Sequence, residues 1–159
     1  MTSPRTVFLK PGEFHFAGPG TRIATLLGSC VAVSLWHPRL RIGGMCHYML
    51  PHHGRPAQVR ALDGRYATDA FELFRRELER TGTRPAEYEA KLFGGGAQVL
   101  RDGVARANVA AGLSLLDRHG FTVVARHLGG TGARRLRFDL ATGDVWMYHN
   151  DRSPLDEAS

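Results

Sequence analysis

Apolar and polar positions along this chain follow two different periods. Val31-Ala32-Val33-Ser34-Leu35-Trp36 is apolar at nearly every position, the pattern of a strand buried on both faces. His37-Pro38-Arg39 interrupts it, because proline cannot donate to a ladder. Residues 41–50 then resume a strand pattern up to Pro51, and the pair predicts a hairpin. A polar loop follows from His52 to about Arg65. Over 67–80 the period lengthens. Ala67, Ala70, Phe71, Phe74 and Leu78 share one helical face, Arg75, Arg76, Glu79 and Arg80 occupy the rest, and Thr81-Gly82 supplies a stop. Residues 89–93 predict a short strand running into Gly94-Gly95-Gly96. A second helix is expected from Val104 or Asn108 to His119, with Ala107, Ala111, Leu115 and Leu116 as its apolar face and Gly120 as its cap. Residues 121–125 read as another strand. Residues 136–140 alternate, 141–144 turn, and 145–148 return, a terminal hairpin with one wet face. Residues 150–159 read as a loose tail.

Strand-rich ends around two helices, without regular strand–helix alternation, predict an α+β fold, a mixed β-sandwich with flanking helices, over a doubly wound parallel sheet. The 159 residues suit a single domain spanning 1–159, large enough to fold on its own core without a disulfide or metal. No apolar run has the length of a membrane span. Residues 1–5 lack a signal peptide's apolar core, so a cytoplasmic protein is expected. The two cysteines, Cys30 and Cys46, are then expected as thiols. The net charge is +6, and 19 of the 21 basic residues are arginine. A solvated surface of arginines accounts for this, with an acidic protein partner as the sharper alternative. No nucleic-acid-binding motif accompanies the charge, so nucleic acid is not an expected partner.

The chemistry concentrates in Thr25-Leu26-Leu27-Gly28-Ser29-Cys30 and the following Gly43-Gly44-Met45-Cys46-His47. Cys30 sits where a glycine turn meets an apolar strand, and His47 lies in the next strand. A thiol needs a base to become a strong nucleophile, and imidazole is the usual one. The flanking Gly28-Ser29 permits close backbone approach, and backbone N–H groups at such a turn can hold an oxyanion. Cys46 is the rival thiol, but adjacent strand residues point to opposite faces. If His47 faces a site, Cys46 faces away into a core. Thr25 is a candidate for fixing the imidazole tautomer, and equally an ordinary strand residue. Cys30, Cys46, His47, His52 and His53 match no familiar zinc spacing, so no metal is expected. Gly94-Gly95-Gly96 is followed by Ala97-Gln98 instead of the lysine a phosphate cradle requires. It reads as a tight passage at the edge of a cleft, and 129–134 as a flexible, basic stretch lining that cleft, with a plain turn as the alternative.

Further residues extend the pattern: Met49-Leu50-Pro51, Arg65-Tyr66-Ala67-Thr68-Asp69-Ala70, Ala90-Lys91-Leu92-Phe93-Gly94-Gly95-Gly96-Ala97, Asn108-Val109, Leu128-Gly129-Gly130 and Thr142-Gly143-Asp144-Val145. With the cysteine and histidine phrases, their order and spacing resemble the CheD family of chemoreceptor glutamine deamidases. The resemblance implies a cysteine hydrolase that converts receptor glutamines to glutamates through a thioester, in a sandwich fold like that of bacterial toxin deamidases. It assigns the nucleophile to Cys30, the general base and acid to His47, and the third member to a threonine just upstream of the cysteine. Thr25 fits that phrase, with Ala24 the neighbouring register. No cofactor is implied. The implied substrate is the cytoplasmic helices of methyl-accepting chemoreceptors, with a CheC-like phosphatase as a further partner and no insertion into the membrane. A binding module regulating such a phosphatase, and a receptor methylesterase, remain as alternatives. The acidic pair often seen before the double glycine is replaced here by Arg126-His127.

Overall fold

The computed structural model describes residues 3–56, 60–96 and 102–150, without the side chain of Asp102. Of the tail expected over 150–159, Asn150 ends the last strand instead, and 151–159 lie outside the described residues, as does the Ala97-Gln98 step. In chain order the elements are β1 (Arg5–Leu9), β2 (Phe14–Ala17), β3 (Thr21–Leu27), β4 (Val31–His37), β5 (Ile42–Tyr48), α1 (Ala67–Thr81), β6 (Glu89–Gly94), α2 (Asp102–Arg118), β7 (Thr122–Leu128), β8 (Ala133–Asp139) and β9 (Val145–Asn150). They form two mixed sheets, ordered β1-β3-β8-β9 and β2-β5-β4-β6-β7. The pairs β1–β3 and β6–β7 are parallel and the others antiparallel.

Two cores result. Between the sheets, Ile23 and Leu27 of β3 and Leu136 and Phe138 of β8 meet Ala32, Met45 and Phe93 of the five-stranded sheet. On that sheet's other face, Val31, Val33, Leu35, Cys46, Tyr48 and Leu92 pack against Phe71, Phe74 and Leu78 of α1 and Leu115 and Leu116 of α2. The α+β sandwich read from the sequence is therefore present, with both helices on one side. The position of β4 in the middle layer explains its unbroken apolar run: every residue except Trp36 is buried. All five apolar positions expected for the first helix are buried, and Gly82 ends it in the left-handed region at φ 67°.

The second helix differs from expectation. It begins at Asp102, and its buried face is Ala105, Asn108, Gly112, Leu115 and Leu116, with Ala107 and Ala111 only half-buried. Apolarity misled here because two of the inward positions are an asparagine and a glycine. A Cβ on Gly112 would lie 2.4 Å from the Tyr48 hydroxyl, so glycine is what lets helix and sheet approach.

The strands β1, β2 and β3 carried no strong signal. β1 and β2 are edge strands with little burial. On β3 the polar Thr25 interrupts the inward apolar row of Ile23 and Leu27. The loop between β5 and α1 is held by the buried Asp69, which accepts from the Arg60 guanidinium and, at 2.8 Å, from the Asp63 N–H. These bonds keep the Asp69 carboxyl below the usual carboxylate range.

Candidate functional site

Between β3 and β4 the chain bends through Gly28, Ser29 and Cys30. Each carbonyl of this bend accepts a hydrogen bond from another element. The Gly96 N–H donates to Gly28 at 3.0 Å and the Gly95 N–H to Cys30 at 2.9 Å. The Asn108 Nδ2 of α2 donates to Ser29 at 3.3 Å and to Met49 at 2.8 Å. Gly94 has φ 114°, and a Cβ there would come within 2.3 Å of the Cys30 carbonyl oxygen. The triple glycine is thus the strap that holds the cysteine turn, a more specific role than the tight passage read from the sequence. Asn108 is fully buried and is a positioning residue that the helix pattern alone did not reveal. The available signal was a polar side chain on an inward face.

His47 pairs with Ala32 across the β4–β5 ladder. Cys30 lies two residues from Ala32 and packs against the same inter-sheet core, so Cys30 and His47 share a face. Cys46 lies on the opposite face, within the helix-side core, as strand parity required. Burial pushes its thiol up to about 12, which makes it inert, whereas Cys30 is only partly buried. Cys46 therefore cannot ligate a metal together with His47. His53 is occupied in its own loop, where its ring packs edge-on to Tyr66 at 4.7 Å and its Nδ1 accepts from the Arg55 N–H at 3.0 Å.

From the other sheet, Thr25 reaches across the sandwich. Its hydroxyl donates to the Leu9 carbonyl at 2.9 Å and lies 2.7 Å from His47 Nδ1. A hydroxyl has one proton to donate. With that proton on Leu9, Thr25 can only accept from His47, which fixes Nδ1 as the protonated nitrogen and leaves the Nε2 lone pair open. Among the described residues Nε2 is buried and makes no hydrogen bond. Ala24, the neighbouring register, lines the outer face of its sheet instead.

His47 is 1% exposed. Burial pushes its imidazole down from 6.5 to about 4, against a smaller upward pull from Glu13. The imidazole is therefore neutral throughout the physiological range. The unfolded chain takes up this proton below about pH 6.5 and the folded chain only below about 4, so the contribution is complete above 6.5 and is lost as pH falls towards 4. The integrated loss is on the order of 3 kcal/mol. Denaturant unfolding of the native chain and of His47→Gln at pH 7 and pH 4 checks this. The native chain should lose more stability than the variant by about that amount, and equal losses would refute it.

Arg134 corrects a second expectation. It closes the stretch read as flexible and basic, yet it is 1% exposed. Its Nε donates to His127 Nδ1 at 2.9 Å and its Nη2 to the Gly129 carbonyl at 2.5 Å. Gly129, Gly130 and Gly132 all take positive φ, which lets the loop curl over the guanidinium. The Gly132 carbonyl in turn lies against Gly96, next to the Gly28 carbonyl. Arginine and loop together close the end of the sandwich beside the cysteine turn.

A family model described as CheD chemotactic sensory transduction matches residues 49–149. A relative from Dechloromonas aromatica, named a probable chemoreceptor glutamine deamidase CheD 3, is 53% identical over 146 residues, covering 89% of this chain and 85% of its own. Relatives from Pseudomonas savastanoi pv. phaseolicola and Pseudomonas fluorescens, named probable chemoreceptor glutamine deamidases CheD, are 45% and 44% identical over 158 residues. Each alignment covers 95% of this chain and 88% of the relative. The family model begins after Thr25, Cys30 and His47, but these alignments run along nearly the whole chain. On this evidence, and in agreement with the resemblance carried by its motifs, the protein belongs to the CheD family.

Proposed function

We propose that this chain is a chemoreceptor glutamine deamidase in which Cys30 is the nucleophile, His47 the general base and acid, and Thr25 the residue that fixes the imidazole. The observation that carries the reading is the relay from the Leu9 carbonyl through Thr25 to His47 Nδ1, which leaves Nε2 unprotonated on the face shared with Cys30. The names of the relatives supply the substrate class.

In this reading His47 Nε2 takes the Cys30 proton, and the thiolate attacks the side-chain amide carbon of a receptor glutamine. Backbone N–H groups of the Ser29–Cys30 bend hold the developing oxyanion, a bend whose carbonyls are already tied down by Gly95, Gly96 and Asn108. Losing one such donor typically lowers the rate about 10²–10³-fold. The imidazolium returns its proton to the leaving nitrogen, and ammonia departs from a thioester. His47, again neutral, removes a proton from water, which attacks the thioester carbonyl. Glutamate and the free thiol result, with no metal or organic group in the cycle. A CheC-like phosphatase that covers the cysteine turn would compete with the receptor for it. No helix among the described residues is long and apolar enough to cross a membrane.

The test is incubation with the cytoplasmic fragment of a methyl-accepting chemoreceptor, followed by site-resolved mass spectrometry and assays for released ammonia and methanol. Glutamine-to-glutamate conversion with matching ammonia is expected. Methanol release from methylated receptor without ammonia would replace the deamidase with an esterase using the same residues.

A further inference from the structure

Among the described residues no helix covers the outer face of the four-stranded sheet, and its side chains are arranged in rows. Cross-strand pairing sets Phe8, Ala24, Arg137 and Trp146 in one row, and Leu26, Arg135 and Tyr148 in the next. These apolar groups are unusually open to solvent: Tyr148 is 69% exposed, Phe8 57%, Leu26 50% and Trp146 45%. They line a groove of about 670 Å³. Four large apolar side chains exposed side by side on one sheet mark an interaction site more often than chance scatter does.

The charge of the face says what fits it. Each row places an arginine between apolar neighbours, and Arg137 lies over the Trp146 ring at 5.2 Å. The four strands carry a single carboxylate, Asp139, and it is already paired with Arg22 at 3.3 Å. A second copy of this chain is a poor occupant, since a two-fold contact would press two arginine-bearing faces together while their one strand carboxylate, Asp139, is already paired. The dimensions favour a helix. Four strands spaced about 4.8 Å apart set their outer axes about 14 Å apart, room for one helix about 10–12 Å across with its side chains to lie along the face. The same chain uses this solution on its other sheet, whose outer face is covered by α1 and α2.

We propose that the outer face of the β1-β3-β8-β9 sheet is a docking surface for an acidic amphipathic helix of a partner protein. The apolar stripe of the helix seats between Phe8, Leu26, Trp146 and Tyr148, and its flanking carboxylates meet Arg135 and Arg137. This surface lies on the opposite side of its sheet from Thr25, and the proposal does not depend on the deamidase reading.

The probe is a fluorescein-labelled synthetic helix of glutamate, alanine and leucine with leucines at helical spacing. Its binding to the full chain is followed by anisotropy at low ionic strength and by the emission of Trp146. Saturable binding with a blue shift is expected. Arg135→Glu/Arg137→Glu should weaken it at least tenfold, and Trp146→Ala should weaken it and remove the shift, with unchanged far-UV circular dichroism in both. A peptide of the same composition in scrambled order should bind at least tenfold more weakly. No binding of the ordered peptide, equal binding of the scrambled one, or equal binding by the double arginine variant would overturn the proposal. So would tighter binding of a single-stranded oligonucleotide or of anionic phosphatidylglycerol vesicles through the same arginines.

Discussion

Replacement of Cys30 with alanine should leave a folded protein that no longer converts receptor glutamine to glutamate. The thiol is only partly buried and sits at the margin of the inter-sheet core, so its loss opens little space. The bend around it is held by backbone and Asn108 hydrogen bonds that do not involve the sulfur. The chemistry, in contrast, has no substitute nucleophile, because Cys46 is on the far face of the sheet with its thiol pushed up to about 12. Removing the nucleophile of a triad-type hydrolase lowers kcat by on the order of 10⁶-fold, which here means loss to background. Cys46→Ala is the matched control and should keep its turnover while losing some stability. Quantitative mass spectrometry of the receptor fragment distinguishes the two, and conversion that survives Cys30→Ala would remove the assigned nucleophile.

Thr25→Val should be the second most damaging change, through a different route. Valine keeps the shape but takes away the oxygen that accepts from His47 Nδ1 and the proton given to Leu9. His47 Nδ1 then loses its buried partner, at a stability loss of about 1–3 kcal/mol. The larger effect is on the imidazole. Freed from Thr25, it can carry its proton on Nε2 and cease to be a base towards Cys30. Where the orienting group of a comparable triad is replaced so that the tautomer is wrong, kcat drops about 10⁴-fold. A loss approaching that size is expected in kcat with little change in KM, and Thr25→Ser should restore most of it. A valine variant with native kcat would reduce Thr25 to a strand residue.

Much of this site was legible before the fold was known. Strand parity separates His47 from Cys46, and the turn-to-strand setting picks out Cys30. Both inferences need only a period of two. The apolar run of β4 likewise announced a strand with two buried faces. The hidden parts were those in which a polar or small residue occupies an inward position for a reason that lies elsewhere in the chain. Thr25 was named as a candidate to hold the imidazole, but strand β3 around it was hidden, because Thr25 breaks the apolar row for a partner on the other sheet. Asn108 and Gly112 spoil the apolar face of α2 because one ties down the cysteine turn and the other makes room for the Tyr48 hydroxyl. Arg134 looked like surface charge, yet it is enclosed by a glycine loop whose positive φ angles no local pattern announces. Periodicity reports which face is greasy. It does not report that a polar side chain such as Asn108 has its partner 79 residues away.

The claim on which the proposed chemistry rests is the protonation state of His47, and two-dimensional ¹H–¹⁵N NMR of the ring nitrogens measures it directly. Spectra of the native chain and of His47→Gln assign the resonances by difference. At pH 7 the expected result is a protonated Nδ1 and an unprotonated Nε2, with the ring titrating near 4 instead of 6.5. A proton found on Nε2 at pH 7, or a ring that titrates like an exposed histidine, would contradict it.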